Sequence, residues 1–331
     1  MTNKNTVTPA KYTGSEVLAG VNWNNIQDPT DKLLWERMTS AFWLPEKFAM
    51  SNDIPSWKSM TEAEQATVLR VFTGLTLLDT IQATVGAIKM IPHALTQHEE
   101  ANYTFIAAME SIHARSYSYI FMTLASTPEI DEAFEWSHAN EQLQYKASRI
   151  MQFYREGDPL RMKAASVMLE SFLFFTGFYV ALRFSAEGKI TNTADIIRMI
   201  LTDESFHGYF IGHKFKIGRE KLTAAEREAL DSEVLELALD LYENELKYTS
   251  QLYSDIGWTE DVNAYVRLNC NKAMMNLGYE GFFPAEDTKC HPGVMTALDP
   301  GKSENHDFFS GAGSSYFMAT AEATSDDHWD F

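Results

Sequence analysis

The sequence predicts an all-α protein. Helical periodicity marks nearly every segment from about Asp31 to Leu277, no series of alternating strands and hairpin turns interrupts it, and several segment starts carry helix-cap chemistry. Thr61-Glu62-Ala63-Glu64 and Thr223-Ala224-Ala225-Glu226 fit the capping box, and Asp158-Pro159 supplies an N-cap followed by proline at the first helical position.

In chain order the expected helices cover 30–43, 61–91, 99–126, 130–155, 159–186, 192–216, 223–256 and 260–277. That is more than a four-helix bundle requires. After Gly278 the texture changes, and Pro292-Gly293 and Ser310-Gly311-Ala312-Gly313 signal loose chain. The expected division is a helical domain over 1–289 and a flexible tail over 290–331. The tail nevertheless ends in Trp329 and Phe331, bulky groups that suit docking more than solubilisation.

Composition excludes several classes. With 45% hydrophobic and 13% aromatic residues, 331 residues can bury a large core. A formal net charge of −19 repels phosphate backbones and anionic surfaces, so neither a nucleic-acid polymer nor a membrane is an expected partner. Two cysteines, Cys270 and Cys290, form no short-spaced pair and suggest neither a disulfide framework nor a thiolate zinc site. The polar first residues lack a signal-peptide core, and SFLFFTGFYVAL is too short to span a bilayer, so a soluble cytoplasmic protein is expected.

Two acids stand where acids are costly. Asp79 is the only acid between Val71 and Ile91, and Glu170 is alone among large apolar residues in SVMLESFLFFTGFYVAL. A buried carboxylate must be paired, hydrogen-bonded or bound to a metal. Two further helices supply the complement, because Glu110 with His113 and Glu204 with His207 each form a Glu-x-x-His pair on one helical face.

The order along the chain is therefore acid, Glu-x-x-His, acid, Glu-x-x-His. Glu110 follows Asp79 by 31 residues and Glu204 follows Glu170 by 34, as in a duplicated two-helix unit. Four carboxylates and two imidazoles on facing helices are the ligand set of a di-metal site in a ferritin-like bundle, with Asp79 in place of one glutamate. Such oxygen-rich ligation suits redox-active iron or manganese, and ligand type does not choose between them.

A single Glu-x-x-His is weak evidence. Glu135 and His138 also satisfy it, but on a polar helix with no lone buried acid, and are expected to be surface residues. The other histidines, His93, His98, His213, His291, His306 and His328, are assigned to surface, caps or tail. Tyr117 lies one turn beyond His113 on the same face, so its phenol should point toward the metal pair. On an arbitrary helix it would read as a core tyrosine. Beside an oxidising metal pair it becomes a candidate radical site.

FWLPEK, LTLLDT, ESIHARSYSYIF, LESFLFF and LTDESFH, together with the tail NHDFFSGAGSSYFMATAEATSDDHWDF, resemble the small, radical-generating subunit of ribonucleotide reductase, on its class Ib branch. The resemblance covers nearly the whole chain. It implies Asp79, Glu110 and His113 on one metal, Glu170, Glu204 and His207 on the other, and a stable tyrosyl radical on Tyr117. Phe174, Phe178 and Ile200 would form an apolar wall around the radical.

The chain lacks the cysteines needed to reduce a ribose, so a catalytic large subunit is required. The resemblance implies a relay through Tyr316, Trp43 and Asp203, with Trp329 and Phe331 docking on that partner. Residue type alone leaves Trp43 open as a core aromatic and Tyr316 as an apolar tail residue. The class Ib branch further implies manganese as the physiological metal with iron also able to assemble, a flavodoxin-like activating protein, and a homodimer. The competing expectation is a ferritin-like di-iron oxidase or hydroxylase acting on its own organic substrate. Metal storage or a purely structural bundle is the non-enzymatic alternative.

Overall fold

The computed structural model describes residues 20–298, and among them every regular element is a helix. The α-helices are α1 (Pro29–Ser40), α2 (Ile54–Ser59), α3 (Glu62–Ile81), α4 (Ala87–Met90), α5 (Gln97–Leu124), α6 (Thr127–Ala139), α7 (Glu141–Glu156), α8 (Pro159–Met168), α9 (Phe174–Ala186), α10 (Thr191–Glu220), α11 (Ala224–Tyr253), α12 (Thr259–Asn276) and α13 (Pro292–Leu298). The fold is a ferritin-like helical bundle with additional helices, as the periodicity predicts.

The caps read from sequence are present. Thr61 Oγ1 accepts the Glu64 N–H at 3.2 Å while the Glu64 carboxylate accepts the Thr61 N–H at 2.7 Å, and Thr223 with Glu226 repeats the arrangement. Asp158 caps α8 through the N–H groups of Leu160 and Arg161. The start of α10 is capped from elsewhere in the chain. Asp53 accepts the Asn192 N–H at 3.0 Å and the Thr193 N–H at 2.7 Å, which fixes the helix that carries Glu204 and His207.

Two expectations about the elements need correction. The helix expected over 130–155 breaks at Asn140, whose N–H closes on Trp136 while its side chain accepts the Leu143 N–H at 2.8 Å, ending α6 and starting α7. The helix expected over 61–91 is not uniform. Its α-turns widen into a π segment at Gln82–Gly86, and a second π segment, Leu169–Leu173, joins α8 to α9. Near the end of the described residues, α13 packs on α9 with Val294 buried, and the Arg198 Nε donates to the Ala297 carbonyl at 2.5 Å.

Packing accounts for the apolar runs. The stretches Glu62–His93 and Pro159–Ala186 are long and apolar enough to cross a membrane, yet the apolar window of the second is entirely buried within the bundle. Leu75 and Phe72 of α3 and Phe174 and Phe178 of α9 are buried, each removal from water contributing about 1.5–3 kcal/mol. Gly177 lets α9 approach this closely, because a Cβ there would lie 2.8 Å from the Leu75 side chain. α3 and α5 pack side by side, and α10 packs on α8, α9 and the second π segment, so the acid-bearing turns face one another.

Candidate metal centre

α3 brings in Asp79, α5 brings Glu110, His113 and Tyr117, the second π segment brings Glu170, and α10 brings Asp203, Glu204 and His207. A π turn adds a residue to the helical circuit and re-aims the side chains beside it, and such turns cluster at functional sites. Here one contains Glu170 and the other starts three residues after Asp79. All six predicted ligands are fully buried.

The acids and imidazoles converge on one cage. Ligand atoms of Asp79, Glu110, His113 and Glu204 all lie within 4.8 Å of one another, and so do those of Glu110, Glu170, Glu204 and His207. Glu110 and Glu204 belong to both groups, where two ions would share ligands. His113 Nδ1 lies 3.0 Å from Glu204 Oε1, 3.6 Å from Glu110 Oε2 and 3.7 Å from Asp79 Oδ1. His207 Nδ1 lies 2.9 Å from Glu110 Oε1 and 3.3 Å from both Glu170 Oε2 and Glu204 Oε2. Thus both rings aim Nδ1 inward.

Despite these short distances, both oxygens of Asp79, Glu110 and Glu204, and Nδ1 of His113, have no aligned hydrogen-bond partner. Buried carboxylates left in this way are strongly disfavoured unless a cation satisfies them. Four carboxylates match the charge of two divalent cations. The donor set therefore fits a dinuclear manganese or iron site.

The protonation pattern carries the same message. Burial, followed by the Glu110 carboxylate, pushes Asp79 well above the usual carboxylate range, and burial with Glu110 and Glu170 does the same to Glu204. Burial opposes a charged His207, but the Glu170 and Glu110 carboxylates outweigh it and raise the imidazole to about 10. His113 is likewise raised, with burial opposing and Asp203, Glu110 and Glu204 prevailing. Glu110 falls to about 2, because the two imidazoles overcome its burial. Without cations, protons balance the cage.

Around the cage, Asp203 Oδ2 accepts from Trp43 Nε1 at 2.7 Å and meets His113 Nε2 at 3.0 Å. That fixes the His113 ring with Nδ1 toward the cage. Trp43 is buried and stacks on His113 with ring centroids 6.0 Å apart. The Tyr117 hydroxyl is buried with no hydrogen-bond partner, and burial, then Asp79, Glu204 and Glu110, holds its pKa well above the usual phenol value. The phenol is therefore neutral.

Phe174, Phe178 and Ile200 lie in the same buried core. The ring that packs on Tyr117 is Phe72, at 5.5 Å, which sequence reasoning did not single out. The decoy pair Glu135 and His138 is exposed. His98, assigned above to the surface or a cap, is instead buried, with Nε2 3.0 Å from the Asn22 carbonyl. Tyr316, Trp329, Phe331, His306 and His328 lie outside the described residues.

The family model described as ribonucleotide reductase, small chain, matches residues 20–292. The chain belongs to that family. It is 54% identical over 314 residues to the ribonucleoside-diphosphate reductase subunit beta of Mycobacterium leprae, covering 95% of this chain and 97% of the relative. It is 53% identical to ribonucleoside-diphosphate reductase 2 subunit beta of Escherichia coli K12, covering 95% and 98%. Among solved structures, the dimanganese(II) NrdF of Streptococcus sanguinis matches with a TM-score of 0.83 and 44% identity, over 85% of this chain and all of that one.

The chain is thus a class Ib ribonucleotide reductase small subunit, the radical-generating part of an oxidoreductase that works with a large subunit. A free-standing oxidase or hydroxylase is not favoured.

Proposed function

We propose that Asp79, Glu110, His113, Glu170, Glu204 and His207 hold two manganese ions, with iron able to take the same places, and that Tyr117 stores the radical. One observation carries the ligand assignment: a fully buried cage in which Asp79, Glu110 and Glu204 have no hydrogen bond to either carboxylate oxygen and in which Glu110 and Glu204 are common to both halves. Once bound and oxidised, by dioxygen or by an oxidant that the activating protein delivers, the metal pair would supply the power to take an electron and a proton from a phenol.

The protein's own residues do the rest. Tyr117 presents a fully buried hydroxyl with no protein hydrogen-bond partner, so its radical would be shielded from bulk solvent and reductants. Phe174, Phe178 and Ile200 contribute the apolar wall, joined by Phe72. Asp203 holds His113 on one side and Trp43 on the other, a continuous hydrogen-bonded path for coupled electron and proton transfer outward. Tyr316 would extend it, and Trp329 and Phe331 would anchor the tail on the large subunit. In this reading the helical domain runs to 298, past the boundary at 289 expected from composition, and the tail follows.

The homodimer is part of the same proposal. Trp23, Trp35 of α1, Phe105 of α5 and Phe42 form a run of rings with centroids 5.3, 5.7 and 6.5 Å apart, of which Phe42 is exposed, as is Leu33 of α1. A half-buried strip of rings with exposed apolar edges supports self-association. The cytoplasm as location and a flavodoxin-like activating protein rest on the class Ib assignment.

Metal-free protein loaded anaerobically with Mn(II) alone or Fe(II) alone tests the reading. Two ions should bind per chain, and after exposure to dioxygen, with the activating protein added in the manganese arm, electron paramagnetic resonance should show a tyrosyl signal that Tyr117→Phe removes without loss of metal. A tyrosyl signal persisting in that variant would assign the radical to another residue.

A further inference from the structure

Gln82 opens the first π segment, fully buried, three residues beyond Asp79. Its amide makes three contacts. Nε2 donates to Glu170 Oε1 at 2.5 Å and to Ser166 Oγ at 2.7 Å, while Oε1 accepts from the Tyr154 hydroxyl at 2.6 Å. An ionised carboxylate only accepts, so the amide nitrogen must face Glu170, and the phenol then donates to the amide oxygen. Ser166, Tyr154 and Glu170 are also fully buried.

The space for this group is reserved by Gly86, on the same π segment. A Cβ at Gly86 would collide with Gln82 Oε1 and lie 2.8 Å from the Tyr154 ring and its oxygen. No apolar core requires a buried amide, a phenol and a glycine in this arrangement.

Their effect on the cage is asymmetric. Asp79, Glu110 and Glu204 have both oxygens without hydrogen bonds, free to meet two ions or one ion twice. Glu170 differs. Its Oε1 is tied to Gln82, and its Oε2 faces inward, 3.3 Å from His207 Nδ1.

We propose that Gln82, locked by Tyr154, is a positioning residue that restricts Glu170 to a single inward-facing oxygen, so that it would serve one ion only while Glu110 and Glu204 are the carboxylates available to both. This rests on the ligand assignment made above. Releasing the tether frees the Glu170 carboxylate to rotate, which changes both the affinity of its ion and the ligand field around it.

The test titrates metal-free Gln82→Leu, Tyr154→Phe, the double variant and Glu170→Ala anaerobically with Mn(II) alone. It reads ions bound, affinity, and the paramagnetic resonance spectrum of the two-ion form. Gln82→Leu should weaken one of the two sites by about 10- to 100-fold and alter that spectrum. Tyr154→Phe should shift both readouts in the same direction by less. The double variant should match Gln82→Leu, because Tyr154 acts only through the amide. Unchanged affinity and spectrum in Gln82→Leu, or additive effects in the double variant, would overturn the proposal. Should Gln82→Leu fail to fold, an unaltered spectrum in Tyr154→Phe would do the same. Glu170→Ala separates the two levels: if it too binds both ions unchanged, the ligand assignment fails, not merely the positioning role.

Discussion

Trp43 and His113 meet on one oxygen of Asp203: the indole N–H donates to Oδ2 at 2.7 Å and the imidazole Nε2 lies 3.0 Å from the same atom. A carboxylate oxygen has room for two donors, and this sharing joins a core aromatic on the outer side to a cage imidazole on the inner side. A phenyl ring keeps an aromatic group in the core but has neither the indole N–H nor its ease of oxidation. Trp43→Phe should therefore retain the fold, both metals and the tyrosyl signal. Deoxynucleotide formation with the large subunit should fall at least about 100-fold, about 2.7 kcal/mol on the barrier. Turnover within about twofold of wild type would remove Trp43 from the path.

A chain cut before Asp326 tests the proposed docking role of Trp329 and Phe331. Cage, Tyr117 and Asp203 all lie far upstream in sequence, so metal content and the radical signal should survive truncation. Turnover with the large subunit should vanish, and a peptide of the missing residues should inhibit the intact enzyme by competing for the groove. Loss of the radical signal itself would refute this division of labour.

The site was legible in the sequence because burial made its acids anomalous. Asp79 and Glu170 interrupt apolar runs that leave no polar face, and that conflict between residue type and surroundings is visible without coordinates. Gln82 was overlooked because a neutral amide raises no such alarm, although it lies three residues from Asp79 on a helix otherwise apolar around it. The π segments were illegible for a different reason. One inserted residue shifts the periodicity by less than a short window resolves, and widening is decided by packing across the bundle. The break at Asn140 hid in a polar helix whose spacing continues smoothly on both sides. His98 is buried by a bond to the Asn22 carbonyl, 76 residues away, which local pattern cannot reveal.

Proton release follows from the charge balance of the cage. Both imidazoles are raised above their usual range, His207 to about 10, and burial holds Asp79 and Glu204 well above the ordinary carboxylate range. Loading two divalent cations must expel these protons, since a ligating Nδ1 or carboxylate oxygen cannot keep one. Calorimetric titration with Mn(II) near neutral pH, in buffers of different ionisation enthalpy, should show about two or more protons released per chain. Falling pH favours the protonated cage, so affinity should drop as the solution is acidified and rise with pH through the neutral range. An affinity independent of pH would mean that the ions do not displace these protons.

The bundle also buries a charge pair with no part in this chemistry. Lys146 Nζ lies 2.6 Å from Glu245 Oε1 and 3.6 Å from the centre of the Tyr248 ring, with both charged side chains essentially inaccessible. Burial lowers the Lys146 pKa, and Glu245 restrains that shift. Removing one partner strands the other in a low-dielectric interior, whereas removing both leaves an apolar gap that hydrophobic side chains can fill. Lys146→Ala should therefore destabilise the metal-free protein by about 3–5 kcal/mol, while the Lys146→Met, Glu245→Leu double variant should stay close to wild type. Denaturant unfolding measures both, and metal content should be unaffected in each, because the pair connects α7 to α11 and touches no cage residue. A loss below about 1 kcal/mol in Lys146→Ala would show that water reaches Glu245 and that the pair behaves as a surface salt bridge.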